Sequence, residues 1–278
     1  MTVQRVLRDT RAQPKVTFYV GTTATDADGA VTVDVFHGDG SIFVTDAATT
    51  GPSPTGTYTY TLAPQSVLER FQIVWEGTFG TVVQRQTSFV EVVGGYYVAL
   101  ADILALQGLS GFTPAKLAES RQWFEDKAET FCGVAFVPRY ARDVLDGSGS
   151  RKLELKHQRP RTIISAKFDG VAQTTTTWDL YEAGYIVAPS SFPSGNRNIE
   201  IIYEHGLDAP DSDMRQAALT AIRDNALGLA SGIPPQATEV RQEFTTIALS
   251  TPGPNAPTGI PSVDQVLVDQ RVPMVVVA

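Results

Sequence analysis

Side chains that carry redox, metal or acid–base chemistry are scarce in this sequence. Its 278 residues include one cysteine, Cys132, and three histidines. A single cysteine excludes an intramolecular disulfide and any Cys-based zinc or iron–sulfur site. No apolar run approaches the roughly 20 residues needed to span a bilayer, and the first residues lack the apolar segment of a secretory signal. We therefore expect a protein made in the cytoplasm, with no membrane span.

Basic residues are also outnumbered. Lys and Arg total 22 against 30 Asp and Glu, which gives a formal charge of −8. So acidic a chain is a poor candidate for gripping nucleic acid through its phosphates. The 42% apolar and 19% charged content excludes wholesale disorder, because enough apolar surface is available for a core. The length suggests two domains.

The N-terminal region, residues 1–95, has the pattern of an all-β domain. Short segments rich in β-branched and aromatic residues alternate with turn signals, including Asp28-Gly29, predicted as a hairpin turn, and Gly77-Thr78. The predicted strands cover residues 15–20, 30–36, 41–44, 56–62, 71–75 and 81–93, the last counted as two. Short strands at this spacing predict an immunoglobulin-like β-sandwich.

The pattern changes after Gly94-Gly95. Helical periodicity covers residues 98–107, 116–131 and 211–229. Thr113-Pro114 has the form of an N-cap with a proline at the first helical position, and Gly133 follows the end of the second helix. Between the second and third helices, a β-rich insertion is expected at about residues 150–205. We therefore expect an α+β, multidomain chain whose residues 96–233 form a helical-bundle core around that insertion.

Residues 234–278 are expected to form an extended C-terminal arm. The segment contains the Pro- and Gly-rich stretch STPGPNAPTGIP and then a short helical pattern over residues 262–270. It holds too few apolar residues for a domain of its own. Such a segment is expected to gain order by binding a partner, through strand addition or groove filling.

No set of residues suggests catalysis. His37, His157 and His205 lie in separate segments and are predicted as turn or surface residues rather than metal ligands. Cys132 is expected to be a buried small apolar residue, because no base or second cysteine is nearby. Asp26-Ala27-Asp28-Gly29 lacks the further ligands of a calcium loop. We therefore expect no metal and no cofactor.

One helix carries a concentration of carboxylates. Glu119, Glu125, Asp126 and Glu129 alternate with basic residues, and Arg121 and Glu125 have the i, i+4 spacing of an ion pair on the polar side. A solvated helix face explains the pattern better than the paired carboxylates of a glycosidase. A structural or binding protein is accordingly expected rather than an enzyme.

From about residue 97 onward, the sequence resembles the head-to-tail connector family of long-tailed bacteriophages, also called adaptor or head-completion proteins. The strings ADILALQG and FTPAKLAESRQWFEDKAETFCGVAF are similar to the family's opening helices, and TGIPSVDQVLVDQ to its C-terminal arm. The family's central insertion ends in a strand of the form V-x-Y-x-x-G and a proline before the last helix. Ile201, Tyr203, Gly206 and Pro210 match those positions, and the N-terminal sandwich is a departure from the family pattern.

The resemblance implies a virion protein at the head–tail junction. It implies a homo-oligomeric ring, usually of twelve copies, between the portal protein and the next neck or tail-completion protein, with DNA passing through the lumen without specific binding. The N-terminal domain could contact the capsid. The arm would bind the portal or a neighbouring copy through apolar residues, for which the candidates are Val263, Val266, Leu267, Val272, Met274 and Val275.

A binding module remains the alternative interpretation. In that case the sandwich would recognise a host-surface or wall glycan through exposed aromatic residues such as Tyr58, Tyr60 or Trp75, and the second part would be a tether. A wall hydrolase is a third alternative, for which the sequence indicates no catalytic carboxylate.

Overall fold

A computed structural model describes residues 3–230, 239–242, 245–248 and 252–272. The chain is mixed α+β with several sheets, as the pattern of apolar residues along the sequence predicts. Its buried apolar side chains form three clusters: one among the N-terminal strands, one among the helices and one among the strands that follow residue 138.

The N-terminal cluster lies between a five-stranded sheet and two short ribbons. The strands are β1 (Val3–Leu7), β2 (Lys15–Thr17), β3 (Tyr19–Val20), β4 (Thr23–Ala24), β5 (Thr32–Phe36), β6 (Ile42–Ala48), β7 (Thr57–Thr59), β8 (Glu69–Phe79) and β9 (Val82–Val93). The sheet has the order β1-β9-β8-β5-β6, and β2 pairs with β7 and β3 with β4. Phe18 joins the layers, because its ring centroid lies 6.0 Å from that of Tyr58 and 5.2 Å from that of Phe79.

Two turn predictions in this region are wrong. Gly77 lies inside β8, paired with Gln84, and a Cβ at Gly77 would lie 3.1 Å from Val31 Cγ2. Its glycine thus permits close packing rather than a turn. The turn falls at Gly80, where φ is 63°, so residues 82–93 form one strand instead of two. Asp28-Gly29 is no hairpin turn, since the strands on either side of it, β4 and β5, pair with other strands.

The second part of the chain begins and ends with helices. Its elements are α1 (Leu100–Leu104), α2 (Pro114–Cys132), β10 (Arg139–Gly147), β11 (Lys152–Glu154), β12 (Pro160–Phe168), β13 (Val171–Ala172), β14 (Asp179–Tyr181), β15 (Tyr185–Val187), β16 (Gly195–His205), α3 (Ser212–Ala230), β17 (Glu239–Gln242), β18 (Thr245–Ala248) and α4 (Pro261–Asp269). The α1, α2, α3 and α4 helices share one apolar cluster.

The predicted helix boundaries are confirmed where capping residues marked them. Thr113 Oγ1 accepts a hydrogen bond from the Lys116 backbone N–H at 3.4 Å, and Gly133 ends α2 in the left-handed conformation at φ 73°. Asp211 Oδ1 accepts the Met214 N–H at 2.8 Å at the start of α3. These contacts are local, so sequence is enough to predict them.

The strands between α2 and α3 form two antiparallel sheets around the third cluster. One has the order β10-β16-β12-β13 and the other β11-β15-β14. The β10 strand begins at Arg139, before the insertion expected from about residue 150. Its inward positions include Arg139 and Asp143, so the apolar alternation that predicts a strand is interrupted by charge.

Gly206, which follows β16, is expected to be intolerant of a side chain. Its φ is 105°, and a Cβ would lie 2.6 Å from the Val137 carbonyl oxygen and 2.9 Å from that of Ala135. Gly206→Ala is expected to lower the free energy of unfolding by roughly 2–4 kcal/mol, from backbone strain and overpacking together.

Gly170→Ala is the matched control for this experiment. Gly170 also has a positive φ, of 79°, but a Cβ there would meet nothing within 4 Å. A loss of only about 1 kcal/mol is expected, from strain alone. Equal losses in urea unfolding of the two variants would contradict the close-packing argument.

Candidate functional site: a buried ionic junction and a docked C-terminal helix

Within the described ranges, no group of three or more His, Cys, Asp or Glu side chains could hold a metal ion. The helices of those ranges include none with the length and apolar character needed to cross a bilayer. Cys132 is buried, its Sγ lies 3.4 Å from the Leu267 carbonyl oxygen, and burial raises the pKa of its thiol to about 12. The interpretation of Cys132 as a small buried apolar residue agrees with this position.

The expected solvated carboxylate face of α2 is wrong for two of its four residues. Glu119 and Asp126 are exposed, whereas Glu125 is fully buried and Glu129 is half-buried. Glu125 Oε1 accepts the Tyr97 backbone N–H at 3.0 Å. The buried carboxylates require partners that sequence spacing does not reveal, because a lone buried charge is very costly.

Those partners are arginines from distant parts of the chain. Arg139 of β10 donates to Glu125 Oε2 and to Glu129 Oε1, each at 2.8 Å. Arg5 of β1 reaches the same Glu125 oxygen at 3.2 Å and donates to Glu91 at 2.8 Å. We call Arg5, Glu91, Glu125, Glu129 and Arg139 the ionic junction. It connects the N-terminal sheet, helix α2 and the first strand of the insertion.

The charges of the ionic junction depend on one another. Burial raises the pKa of the Glu129 carboxyl to about 7, although Arg139 and Arg5 act in the opposite direction. Burial also disfavours the charge of Arg139, but Glu129 and Glu125 outweigh it, and the pKa of Arg139 is raised. A cluster of this kind is stable only when its members are all present.

Further contacts fix the two parts of the chain around Gly94-Gly95. The Gly94 N–H donates to the Pro138 carbonyl oxygen at 3.0 Å, and Arg139 Nη1 donates to the Gly95 carbonyl oxygen at 3.1 Å. A further contact between the two parts of the chain is an ion pair, in which Lys167 Nζ of β12 lies 2.9 Å from Asp39 Oδ2 of the N-terminal region. The chain at Gly94-Gly95, where the sequence pattern changes, is therefore hydrogen-bonded to residues at the start of β10.

The histidines are not all turn or surface residues. His37 is half-buried beside Glu69, with 2.7 Å between Nδ1 and Oε1. His205 is buried and stacks on His157, which is exposed to solvent, with ring centroids 4.2 Å apart. The surface prediction is therefore wrong for His205 and agrees with the position of His157. Desolvation lowers the pKa of both stacked rings, that of His205 to about 3, and His205 Nδ1 has no hydrogen-bond partner among the described residues.

Neutral His205 makes stability dependent on pH. Its folded pKa is about 3, below the ordinary value of about 6.5, so between these pH values the unfolded chain binds more protons than the folded chain. Stability from this group is present above pH 6.5 and is lost as the pH falls, with a slope of about 1.4 kcal/mol per pH unit for one proton.

His205→Phe is expected to lower by about one the number of protons that the chain takes up on unfolding between pH 6.5 and 4. Urea unfolding between pH 6.5 and 4 should show a shallower loss of stability for the variant than for the natural chain. Parallel pH profiles for the natural chain and His205→Phe would contradict a neutral buried His205.

The C-terminal helix α4 packs against its own chain. Val263 and Leu267 are buried in the helical cluster, and Val266 and Val272 are half-buried against it. In this structure the first two side chains are therefore not presented to the portal or to another copy. Met274 and Val275 lie outside the described residues. Portal binding by these six residues stays a prediction.

The start and end of α4 are held by specific hydrogen bonds. The Thr258 N–H and Oγ1 both donate to Asp264 Oδ1, at 2.9 and 2.7 Å. After the helix, the Val272 N–H donates to the Cys132 carbonyl oxygen at 3.0 Å. Two of the six apolar residues predicted to bind the portal or a neighbouring copy, Val263 and Leu267, are therefore part of the buried core between the helices.

The aromatic residues proposed for glycan binding are not displayed as expected. Tyr58 and Trp75 are buried in the N-terminal cluster, and Trp75 Nε1 donates to Ser88 Oγ at 2.8 Å. Tyr60 is half-buried. The prediction that they are exposed is therefore wrong for Tyr58 and Trp75, which belong to the buried core of the N-terminal strands.

Two solved structures contain chains to which this chain is similar. One is the neck of an empty gene transfer agent particle computed with C6 symmetry, at 16% identity and a TM-score of 0.44. The other is the virion of a native gene transfer agent particle, at 14% identity and a TM-score of 0.46. Each match covers 66% of this chain and 93% of the other. No family model matches the chain, and no curated protein matches it.

Proposed function

We propose that the protein is a non-catalytic structural component of a phage-type virion neck. The observation that carries this proposal is the placement of the family-like positions in the fold. Ile201 and Tyr203 lie buried in the last strand of the insertion, Gly206 forms the tight turn after it, and Pro210 lies two residues before the first residue of α3. A helix pair, a β-insertion, a long helix and a short C-terminal helix follow in the order that the sequence resemblance implies.

In this proposal the chain assembles into a homo-oligomeric ring of about twelve copies at the head–tail junction. The ring binds the portal protein on one side and the next neck or tail-completion protein on the other. An acidic chain suits a lumen through which DNA moves, since like charge does not retain the phosphates. The N-terminal unit, proposed to be immunoglobulin-like, is directed to the capsid or to a neighbouring neck protein.

Exposed apolar side chains on the N-terminal unit are consistent with such contacts. Ile42 of the edge strand β6 is 64% exposed, and Val82 and Val83 at the start of β9 are 58% and 53% exposed. An unpaired edge strand with apolar side chains is a surface that other chains readily cover. Two of the three aromatic residues named for the glycan-binding alternative, Tyr58 and Trp75, are buried.

Electron microscopy of the protein co-expressed with its portal protein tests the proposal. Rings attached to portal are expected for the full chain. Truncation after Val272 removes Met274 and Val275 and keeps α4 in the core, so it separates binding from folding better than removal of residues 234–278. A chain that stays monomeric and never associates with portal or with a head–tail junction would refute the proposal.

A further inference from the structure

A cleft of about 760 Å³ separates the N-terminal sheet from helix α2. One wall is formed by β1, β2 and β9, and includes Gln4, Lys15 and Phe89; the other is formed by α2. On the α2 side, Ala115 and Ala118 contribute only methyl groups, so little side-chain volume fills the space between the helix and the sheet. The ionic junction closes one side of the cleft through Arg5 and Glu125.

Arg121 lines this cleft and forms no salt bridge with any described residue. Its side chain is buried, with the residue 7% exposed, and its guanidinium carbon lies 3.4 Å from the centre of the Tyr96 ring. Among the described residues its hydrogen bond runs from Nη1 to the Val98 carbonyl oxygen at 3.4 Å. A guanidinium carries five N–H donors, so most of its donor capacity is unused among the described residues.

The expected pairing of Arg121 with Glu125 does not form as a salt bridge. Glu125 directs Oε2 to Arg139 and Arg5, and Oε1 accepts the Tyr97 N–H. The i, i+4 carboxylate of α2 is therefore already used by the ionic junction. This leaves Arg121 as a buried cation beside open space, and burial lowers its pKa.

Four further polar side chains of the cleft have no internal partner. Those of Gln4, Gln13, Lys15 and Gln122 line it, and none of these side chains has a hydrogen bond or ion pair to any residue in the described ranges. Amide side chains in a row between a strand and a helix can bond the backbone of an extended peptide.

The charge of the lining favours an acidic ligand. Arg5 and Glu125 neutralise each other, which leaves Lys15 and Arg121 against the exposed carboxylate of Glu119. The cleft is thus locally positive on a chain whose formal charge is −8. A nearby Glu119 disfavours a phosphate with two charges more strongly than a carboxylate with one, and the same residue disfavours nucleic acid.

We propose that this cleft binds an extended acidic segment of another protein chain. A carboxylate of the segment occupies the free donors of Arg121, a second acidic residue pairs with Lys15, and the glutamine side chains bond the peptide backbone. Stacking on the Tyr96 ring holds the Arg121 guanidinium in one orientation. Little side-chain entropy is therefore lost when its N–H groups bind a carboxylate. The inference goes beyond the proposed virion role and does not depend on it.

The probe for the test is a fluorescein-labelled, capped Glu-Ala-Glu-Ala-Glu peptide, with Gln-Ala-Gln-Ala-Gln as its neutral match. Fluorescence anisotropy against the full chain at low salt should show the Glu peptide binding about tenfold to a hundredfold more tightly, the ratio that charged hydrogen bonds supply. Raising the salt concentration should weaken the Glu peptide and hardly change the neutral one.

A matched pair of variants at Ala118 tests the position of the site. Ala118 lies three residues before Arg121 on the same helix face, so Ala118→Glu supplies an internal carboxylate to Arg121 and competes with the ligand. Ala118→Gln occupies nearly the same volume without the charge. The first variant should weaken binding of the Glu peptide about tenfold or more relative to the second, which controls for the volume that either side chain takes from the cleft.

Lysine variants provide a second, independent test that leaves the core untouched. Lys15→Met should weaken the Glu peptide severalfold, while Lys116→Met, on the same helix as Arg121 but outside the cleft lining, should have no effect. Failure of the Glu peptide to bind at millimolar concentration would overturn the proposal. Equal affinity for both peptides, or equal effects of the two Ala118 variants, would overturn it as well.

Discussion

Replacing Glu125 with glutamine is expected to lower the free energy of unfolding by about 3–5 kcal/mol, the usual cost of breaking a buried ion pair from one side. The Glu125 carboxylate accepts hydrogen bonds from Arg139, Arg5 and the Tyr97 backbone. Loss of its charge leaves two arginines close together with less compensation. Urea unfolding followed by tryptophan fluorescence measures the change.

The control is Glu119→Gln on the same helix. Glu119 is exposed, and surface substitutions of this kind change stability by about 0.5 kcal/mol or less. If Glu125→Gln cost no more than this control, the ionic junction would not hold the two parts of the chain together. A double variant with Arg139→Met should lose less than the sum of the two single variants, because the two side chains share one interaction.

Leu267→Ala is expected to lower the free energy of unfolding by about 2–5 kcal/mol, from lost burial and the cavity that remains. Leu267 is fully buried within the helical cluster, and its own carbonyl oxygen lies 3.4 Å from Cys132 Sγ. The effect measures how firmly α4 is docked on its own chain in solution. The same urea titration is suitable, because unfolding of the helical cluster exposes the core.

Val268→Ala is the matched control on α4. Val268 is 44% exposed and should contribute little, so its variant should lie within about 0.5 kcal/mol of the natural chain. A loss for Leu267→Ala as small as that for Val268→Ala would show that α4 is undocked in the free protein. The C-terminal segment would then be available to a partner, as the sequence resemblance implies.

Local signals in the sequence were enough for the helices and for most strands. Thr113-Pro114, Gly133 and Asp211 mark the ends of α2 and the start of α3 through contacts within a few residues. Such contacts depend on the local chain alone. The apolar alternation of β5 and β8 predicted strands for the same reason.

Long-range pairing explains what the sequence did not predict. The β1 strand pairs in parallel with β9, about 85 residues later, and Arg139 of β10 faces inward to reach Glu125 and Glu129. A charge that is balanced by a distant partner looks like a surface residue when only neighbouring residues are considered. For that reason the sequence wrongly predicts a surface position for Glu125, Glu129 and His205.

The hydrogen bonds at Gly94-Gly95 have a mechanical consequence. The last residue of β9 is Val93, and the next N–H is bonded to Pro138 at the entry to β10. The N-terminal strands are therefore attached to β10 and α2 by hydrogen bonds and ion pairs as well as by the peptide backbone. A force that acts on the N-terminal strands would therefore load β10 and α2 directly through these bonds.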